Sequence, residues 1–284
     1  GLFSTKLILL LRYLFLTRSS LRSKVYWVIW GGDLYNHFLR KRTRKSDILN
    51  SFKKTVISRF GNIIALVPGD YELAKECYGA MGRRFSAFYP NPVDFGMLDA
   101  AASTKDTRST AAARILLGNS ASETNNHFDA IDLLAKRQEH DFEVICPLSY
   151  GDMEYGKRVI EYGKEKLGSR FQPVTDFMKP EDYARILAGV DTAVMFHKRQ
   201  QAVHNIISLL YLGKKVFLRS GVTTYEWLRS DLEIELCDAD LLQEDTHIRF
   251  SPLDSRVATK NKEIIEEFFS RSNCIRLWKE VFKS

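Results

Sequence analysis

The sequence has little that points to an oxidised, metal-bound or membrane-embedded protein. It contains only four cysteines, which are widely scattered and form no CxxC pair. This spacing is typical of reduced, mostly buried cysteines in a cytosolic protein and suggests neither a disulfide framework nor a zinc site. The best candidate for a membrane span, residues 7–16, is short and is interrupted by Arg12. We therefore expect neither a structural metal nor a transmembrane helix.

The common glycine-rich phosphate-binding motifs are also absent. Neither a GxGxxG sequence nor a Walker A sequence occurs, so the usual dinucleotide-binding and P-loop interpretations fail. No nucleic-acid-binding motif is recognisable either. Any phosphate-binding loop in this chain must therefore be found from its position in the fold.

Positive charge exceeds negative charge, with 42 Lys and Arg against 35 Asp and Glu, and the excess is concentrated near the N-terminal end. Two interpretations remain open: a solvated helix face, or a surface that meets anionic lipid headgroups or a diphosphate-bearing substrate. Nucleic acid is the less favoured partner, because the charge lies in one segment of an otherwise enzyme-like chain. The predicted membrane-contact residues are Arg40, Lys41, Arg42, Arg44 and Lys45, with Lys53 and Lys54 close behind.

A β–α–β unit at residues 194–218 organises the second half of the chain. A short apolar run ends in the polar segment HKRQQ at residues 197–201. Apolar residues from position 203 to 210 then recur with the spacing of one buried helix face, and Gly213 stands where a C-cap glycine belongs. In an open parallel sheet, ligands bind at the carboxyl ends of strands, and a helix N-terminus there attracts anions. This loop is therefore predicted to bind phosphate or diphosphate.

Strand and helix patterns alternate along the whole chain, which predicts an α/β protein. We divide it into two Rossmann-like, doubly wound domains, residues 1–108 with the linker and residues 109–284. The first domain has fewer strand–helix units than the second, so we expect the first domain to be incomplete in this chain. The carboxyl ends of both sheets are expected to face a common cleft.

The loop after the strand at residues 115–117 is one candidate ligand site. Gly118, Asn119 and Ser120 form a turn that lets backbone N–H groups approach a ligand, although a plain turn remains an alternative. Asn125 and His127 open the following helix. His127 is placed to cap the helix or to touch phosphate, but we expect it to be an exposed histidine at the helix start.

The loop at residues 197–201 is the strongest local signal. Arg199 can form bidentate, charge-assisted bonds to phosphate, and the dipole of the following helix adds to that attraction. Gln200 and Gln201 adjoin it, and Asn205 lies one helical turn further on. A structural salt bridge of Arg199 is the alternative.

Two further residues of the second half are candidates for the donor side. Tyr150 ends a strand and is placed to flank a sugar or a base, or it is a turn tyrosine without a ligand. Glu226, beside Trp227, is placed to meet sugar or ribose hydroxyls, or it is a solvent-facing helix acid.

The first half offers one comparable loop, in which Trp30, Gly31, Gly32 and Asp33 follow a strongly apolar strand. Two glycines leave room for close approach of an acceptor. Asp33 is either a general base that takes a proton from an acceptor hydroxyl or a helix N-cap without a chemical role. The position alone does not decide between these roles.

Four segments together resemble one known family: WVIWGGDLY at residues 27–35, ILLGNSASETNNH at 115–127, PLSYG at 147–151, and RQQ with its helix from 199. Their order and approximate spacing are similar to those of the bacterial TDP-N-acetylfucosamine:lipid II N-acetylfucosaminyltransferases. These 4-alpha-L-fucosyltransferases act in enterobacterial common antigen assembly. One departure from the family lies after RQQ, where His204 and Asn205 stand in place of the small residues that we expect.

The resemblance implies a GT-B glycosyltransferase without a bound metal or other cofactor. Its donor would be a dTDP-linked deoxy-amino sugar, and its acceptor an undecaprenyl-diphosphate-linked saccharide. It would work as a peripheral protein at the cytoplasmic face of the bacterial inner membrane. By position, Gly118–Ser120 and Arg199–Gln201 would lie at the donor diphosphate, and Asp33 near the acceptor.

Two other functions are compatible with these patterns. A nucleotide-sugar epimerase of the GT-B type would need a set of acid and base groups around one sugar, and no convincing set is visible. A membrane-associated scaffold that retains a nucleotide-binding fold would need no catalytic residues at all.

Overall fold

The computed structural model describes residues 2, 4–39, 43–104, 112–137 and 141–284. Helices α1 to α13 span Thr5–Thr17, Gly31–Leu39, Arg44–Ile57, Pro68–Tyr78, Phe95–Ala102, His127–Ala135, Met153–Leu167, Pro180–Gly189, Val203–Tyr211, Thr223–Glu226, Leu241–Glu244, Ser255–Phe268 and Arg271–Phe282. Strands β1 to β9 span Tyr26–Ile29, Asn62–Ala65, Arg83–Ser86, Ala113–Leu117, Phe142–Pro147, Phe171–Val174, Thr192–Met195, Lys215–Leu218 and Cys237–Asp238.

The chain forms two compact units, and neither is continuous in sequence. The first unit comprises Gly1–Tyr89, Arg199–Gln201 and Arg271–Ser284, and the second comprises Pro90–Lys198 and Ala202–Ser270. The predicted boundary near residue 108 lies outside the described residues. The observed grouping changes earlier, because α5 packs on α8 and α9 of the second unit.

The first unit is built on a parallel sheet of three strands in the order β1–β2–β3. All four residues of β2 are buried, as in a central strand that is covered on both faces. The ring of Phe60 lies between Phe15 of α1 and Trp27 of β1, with centroid distances of 5.1 and 6.1 Å. Helix α13 also belongs to this unit. The indole N–H of Trp278 in α13 donates to the carbonyl of Phe88 over 2.8 Å.

The second unit contains a parallel sheet of six strands in the order β6–β5–β4–β7–β8–β9. Counted within this unit, the order is 3-2-1-4-5-6, which is that of a Rossmann dinucleotide-binding sheet. Helix α6 packs on α7, and α9 packs on β8. With the right-handed crossovers that are the rule for parallel strands, this strand order puts α6 and α7 on one face and α9 on the other. The strand order reverses between β4 and β7, and their carboxyl ends mark the place where such sheets bind ligands.

Local sequence signals explain where several helices begin and end. Helix α7 starts after Asp152, whose carboxylate accepts bonds from the N–H groups of Glu154 and Tyr155. Helix α4 carries Pro68 at its first position and ends at Gly79, which is left-handed with φ of +66°. These signals are local in the sequence, so the sequence alone indicates both helices.

Some predicted elements differ from the observed ones. The basic sequence that follows Tyr35, to about residue 60, predicts one long helical stretch, whereas the structure has two helices, α2 and α3. The sequence at residues 233–237 predicts a strand, but only the two-residue β9 forms there. Glu233 adopts φ of +53°, which interrupts an extended strand. The residues taken as a linker, 100–113, include the end of α5 and the start of β4, and 105–111 lie outside the described residues.

Candidate functional site

The two loops predicted to bind the donor follow the two strands at the switch point of the second unit. The N–H of Gly118, directly after β4, donates to the carbonyl of Val194 in β7 over 3.1 Å. The N–H of Lys198, in the loop after β7, donates to the carbonyl of Thr124 over 2.9 Å. The structure therefore ties these loops together through backbone bonds at the expected edge of the sheet.

Gly118, Asn119 and Ser120, called the GNS turn below, are held by side chains that the sequence also singled out. The amide of Asn125 donates to the carbonyl of Ser120 over 2.8 Å and lies 3.2 Å from its hydroxyl. The amide of Asn119 donates to the hydroxyl of Tyr150 over 2.7 Å, and the ring of Tyr150 is half exposed. Two side-chain pairs, Asn125 with Ser120 and Asn119 with Tyr150, therefore hold the GNS turn.

Glycine is required at position 118 for two reasons. Its φ of +66° lies in the left-handed region. A Cβ built there would also lie 2.8 Å from Nε2 of His127 and 3.2 Å from Oδ1 of Asn125. The GNS turn is therefore packed directly against the first residues of α6.

The expectation that His127 is exposed was wrong. Its side chain is fully buried, and Nδ1 lies 3.1 Å from the hydroxyl of Tyr155 on α7. Burial lowers the pKa of His127 to about 4, so the imidazole is neutral at pH 7. One feature of the sequence was consistent with this burial. His127 is the first residue of a helix that follows a buried strand, and helical side chains point back toward the helix N-terminus.

Arg199–Gln201, called the RQQ tripeptide below, continues the loop after β7 and leads into α9. Gln200 and Gln201 are each 7% exposed, whereas Arg199 is half-buried and donates to the carbonyl of Gln200 over 3.0 Å. The contacts of the RQQ tripeptide group it with the first unit, although the chain on both sides belongs to the second.

Helix α9 begins without a side-chain cap. Ala202 precedes it in a left-handed conformation with φ of +58°, and no acidic residue occupies its first turn. The first N–H groups of a helix and its dipole favour an anion at this position. Asn205 does not cap the helix, because its amide donates to the hydroxyl of Tyr183 over 2.9 Å.

Glu226 ends the short helix α10 and is exposed. Its carboxylate lies 3.5 Å from the hydroxyl of Ser230, one turn further on in a π-helical segment. These are the contacts of a solvent-facing helix acid. Its predicted role at sugar or ribose hydroxyls stays a prediction.

Asp33 lies in the third position of α2 and is 1% exposed. Its carboxylate accepts bonds from the N–H of Leu2, the indole N–H of Trp27 and the N–H of Trp30, over 2.8, 3.1 and 3.0 Å. Burial raises the pKa of Asp33, and the three hydrogen bonds oppose that rise. The contacts favour the helix-capping alternative, since the carboxylate accepts from the N–H of Trp30 just before α2 and is buried away from solvent.

The two glycines before Asp33 are close to other parts of the first unit. A Cβ added to Gly31 would collide with the main-chain carbonyl of Gln200, so only glycine fits against the RQQ tripeptide here. Trp30 is 43% exposed and stacks on Tyr89 with a centroid distance of 5.4 Å, and Tyr89 in turn contacts the ring of Trp278 at 5.3 Å.

The predicted basic surface is described only in part. Arg40, Lys41 and Arg42 lie outside the described residues, and Arg44 and Lys45 are exposed at the start of α3. Lys53 was wrongly placed on this surface, because it is 4% exposed and its ammonium donates to the carbonyl of Asp33 over 3.2 Å.

Helix α1, which packs on α3, has an unusual apolar surface. Ile8 and Phe15 face the core, but several large apolar side chains face outward. The exposed set is Leu7, Leu9, Leu10, Tyr13 and Leu16, with exposures of 39 to 64%. No helix in the described part of the chain is both long and apolar enough to cross a bilayer. Within the same residues, no three His, Cys, Asp or Glu side chains come together in a way that could hold a metal ion.

Comparison with solved structures shows the same fold in glycosyltransferases. A glycosyltransferase from Rickettsia africae is 12% identical with a TM-score of 0.61, over 91% of this chain and 69% of that chain. Anabaena HepE, solved with UDP and glucose, is 13% identical with a TM-score of 0.65, over 99% and 76% of the two chains. WaaG, a glycosyltransferase involved in lipopolysaccharide biosynthesis, is 11% identical with a TM-score of 0.58, over 90% and 73%.

The predicted fold class, α/β of the GT-B type, is confirmed by these neighbours and by the parallel sheets. At such identities they show the fold and no more. The family model for glycosyl transferase group 56, described as 4-alpha-L-fucosyltransferase, matches residues 2–282 and so confirms the resemblance found in the sequence motifs. The chain belongs to the glycosyl transferase group 56 family of 4-alpha-L-fucosyltransferases.

Proposed function

We propose that this glycosyltransferase moves a deoxy-amino sugar, similar to N-acetylfucosamine, from a dTDP-linked donor to an undecaprenyl-diphosphate-linked saccharide. It would act in bacterial surface polysaccharide assembly, as in the making of enterobacterial common antigen. The observation that carries the proposal is the 3-2-1-4-5-6 strand order, which puts the GNS turn and the loop after β7 at the switch point. Anabaena HepE, which has the same fold, was solved with UDP and glucose.

The donor diphosphate would be held at the start of α9. This helix has no side-chain cap and no acid in its first turn, and Arg199 lies just before it in the chain. Arginine binds phosphate oxygens in a bidentate manner, and a helix N-terminus adds partial positive charge. Together they would stabilise the charge that develops on the departing nucleotide diphosphate, which other transferases achieve with a metal ion.

The GNS turn would contact the other side of the diphosphate. Its backbone is fixed by Asn125, and Asn119 links it to Tyr150, whose half-exposed ring is available to a sugar or a base. A loop that is already ordered loses little conformational entropy on binding. Direct displacement at the anomeric carbon is the mechanism that we favour, because no group placed for a covalent intermediate is evident at this turn.

The acceptor would bind on the first unit near Trp30, Gly31 and Gly32. The exposed indole of Trp30 is backed by the ring of Tyr89, which gives a rigid, flat apolar surface. Saccharide rings have apolar C–H faces that suit such a surface. Asp33 would hold this loop through its bond from the N–H of Trp30, and its role as general base stays a prediction that its burial does not favour.

A lipid-linked acceptor would require the protein to stay at the cytoplasmic face of the inner membrane as a peripheral protein. Arg44 and Lys45 offer positive charge to anionic lipid, and the outward leucines of α1 lie on the helix that packs on α3. Basic residues beside exposed apolar side chains are typical of helices that lie in a membrane interface.

A thermal-shift screen tests the donor. We expect dTDP to raise the unfolding midpoint more than UDP or GDP at equal concentration, because a ligand that binds only the folded state stabilises it in proportion to its affinity. At a nucleotide concentration of about 100 times Kd, the free energy of unfolding rises by about 2.7 kcal/mol. No response to any of the three nucleotides would contradict the proposed function.

Sedimentation with vesicles of anionic and neutral lipid tests the membrane contact. Replacing Arg44 and Lys45 together by glutamate should weaken binding to anionic vesicles at least tenfold, since each basic residue near such a surface contributes about 1 kcal/mol. The matched control is the same double replacement at Lys157 and Arg158, which are exposed on α7 of the second unit. Binding that is insensitive both to salt and to the Arg44/Lys45 change would rule the contact out.

A further inference from the structure

His127 is an unusual buried polar group beside the proposed donor loops. The imidazole is fully buried at the first position of α6, and its Nδ1 is 3.1 Å from the hydroxyl of Tyr155. Its other nitrogen, Nε2, is also buried and has no hydrogen-bond partner among the described residues. A buried polar atom without a partner is costly, and natural proteins keep few of them.

Nε2 of His127 points toward the GNS turn. Nε2 lies 2.8 Å from the point where a side chain of residue 118 would begin, and Oδ1 of Asn125 lies 3.2 Å from the same point. Two polar atoms, one from the first residue of α6 and one from the turn just before it, thus converge on one side of the GNS turn. Residue 118 must be glycine because the imidazole occupies that space.

The hydrogen bond between His127 and Tyr155 can run in either direction, and we take the one in which Tyr155 donates and the imidazole hydrogen lies on Nε2. Burial lowers the pKa of His127 to about 4 and raises the pKa of Tyr155 to about 12, so both groups are neutral at pH 7. The Tyr155 hydroxyl is then able to donate to Nδ1, which leaves the hydrogen on Nε2. Nε2 would be a hydrogen-bond donor that faces the GNS turn.

We propose that His127 is a positioning residue for the donor nucleotide. It sets the GNS turn against the diphosphate, and its Nε2–H gains a hydrogen-bond acceptor in that turn when the donor is bound. The inference rests on the proposed function, because it needs the GNS turn to contact the diphosphate. The bond from Tyr155 orients the ring, as a second partner orients many functional histidines. The residue would touch the turn and act through it.

Two replacements separate the two nitrogens. His127→Asn keeps a polar group near the position of Nδ1, within reach of Tyr155, and removes the group at Nε2. His127→Gln extends a polar group toward the position of Nε2. The matched control is His247→Gln, an exposed histidine of the same unit.

Calorimetric titration with dTDP supplies the main readout. We expect His127→Asn to weaken dTDP binding about tenfold, His127→Gln to restore part of that loss, and His247→Gln to bind as the wild type does. In ¹⁵N NMR spectra of the wild type, the Nε2 signal of His127 should shift on addition of dTDP as it gains a hydrogen bond. Donor KM should rise more than kcat falls.

A merely structural histidine gives a different pattern. The His127→Asn protein would then have a lower unfolding midpoint but wild-type dTDP affinity in its folded fraction, and the Nε2 signal would not move. That result overturns the inference and leaves the proposed function intact. Failure of the wild-type protein to bind dTDP would instead overturn both.

Discussion

Replacing Asp33 by asparagine is expected to lower the free energy of unfolding of the first unit by about 2 kcal/mol. The carboxylate now accepts three N–H groups, and hydrogen bonds to a charged acceptor contribute about 1.5–3 kcal/mol each. The asparagine oxygen can keep the two hydrogen bonds that meet at Oδ2, from Leu2 and Trp27. Its NH₂ group would face the N–H of Trp30, so the third hydrogen bond is lost. For a unit of this size the unfolding midpoint should fall by roughly 8 °C.

The same variant decides between the two roles of Asp33. If the residue caps α2, kcat per folded molecule should change less than tenfold, whereas loss of a general base typically costs 10²- to 10⁴-fold. Asp47→Asn is the control, because Asp47 is an exposed first-turn acid of α3, and it should shift the midpoint little. An unchanged midpoint with a hundredfold loss of kcat would restore Asp33 as the base.

Arg199→Ala is expected to weaken dTDP binding tenfold to a hundredfold. Charge-assisted hydrogen bonds to a phosphate are worth about 1.5–3 kcal/mol, and nothing in an alanine replaces them. Turnover should fall as well, because the same guanidinium would stabilise charge on the leaving diphosphate. Arg199→Lys should give an intermediate affinity, since lysine keeps the charge but loses the planar fork.

Lys198→Ala provides a neighbour-matched control for this measurement. Lys198 is exposed, and the bond from its backbone N–H to Thr124 survives the change. It should bind dTDP within about twofold of the wild type. Equal losses in both variants would mean that the net charge of the loop matters rather than the guanidinium of Arg199.

The second unit was largely predictable from the sequence because its signals are local. Short apolar runs, polar loops and helix-cap residues follow one another regularly. The GNS turn stands directly after one strand, and the RQQ tripeptide lies in the loop after another. The position of the loops after β4 and β7 at the switch point follows from strand order. Strand order depends on which distant strands pair, and a single sequence does not reveal that pairing.

The features that the sequence did not predict depend on tertiary contacts. The burial of His127 and Lys53 depends on Tyr155 of another helix and on the main chain of Asp33, and no periodicity reports such partners. The place of α13 in the first unit depends on its contact with Phe88, far away in the chain. Asp33 was ambiguous because a helix cap and a catalytic base occupy the same position after a strand.

The return of α13 to the first unit has a consequence for synthesis on the ribosome. Trp278 lies 190 positions after Phe88, whose carbonyl it covers. At 5–20 residues per second, that distance corresponds to roughly ten to forty seconds of translation. The first unit, although made first, is therefore finished last, and its edge around Phe88 stays uncovered while the second unit is being made. A nascent chain of this protein should be most exposed to chaperones and proteases at its N-terminal half.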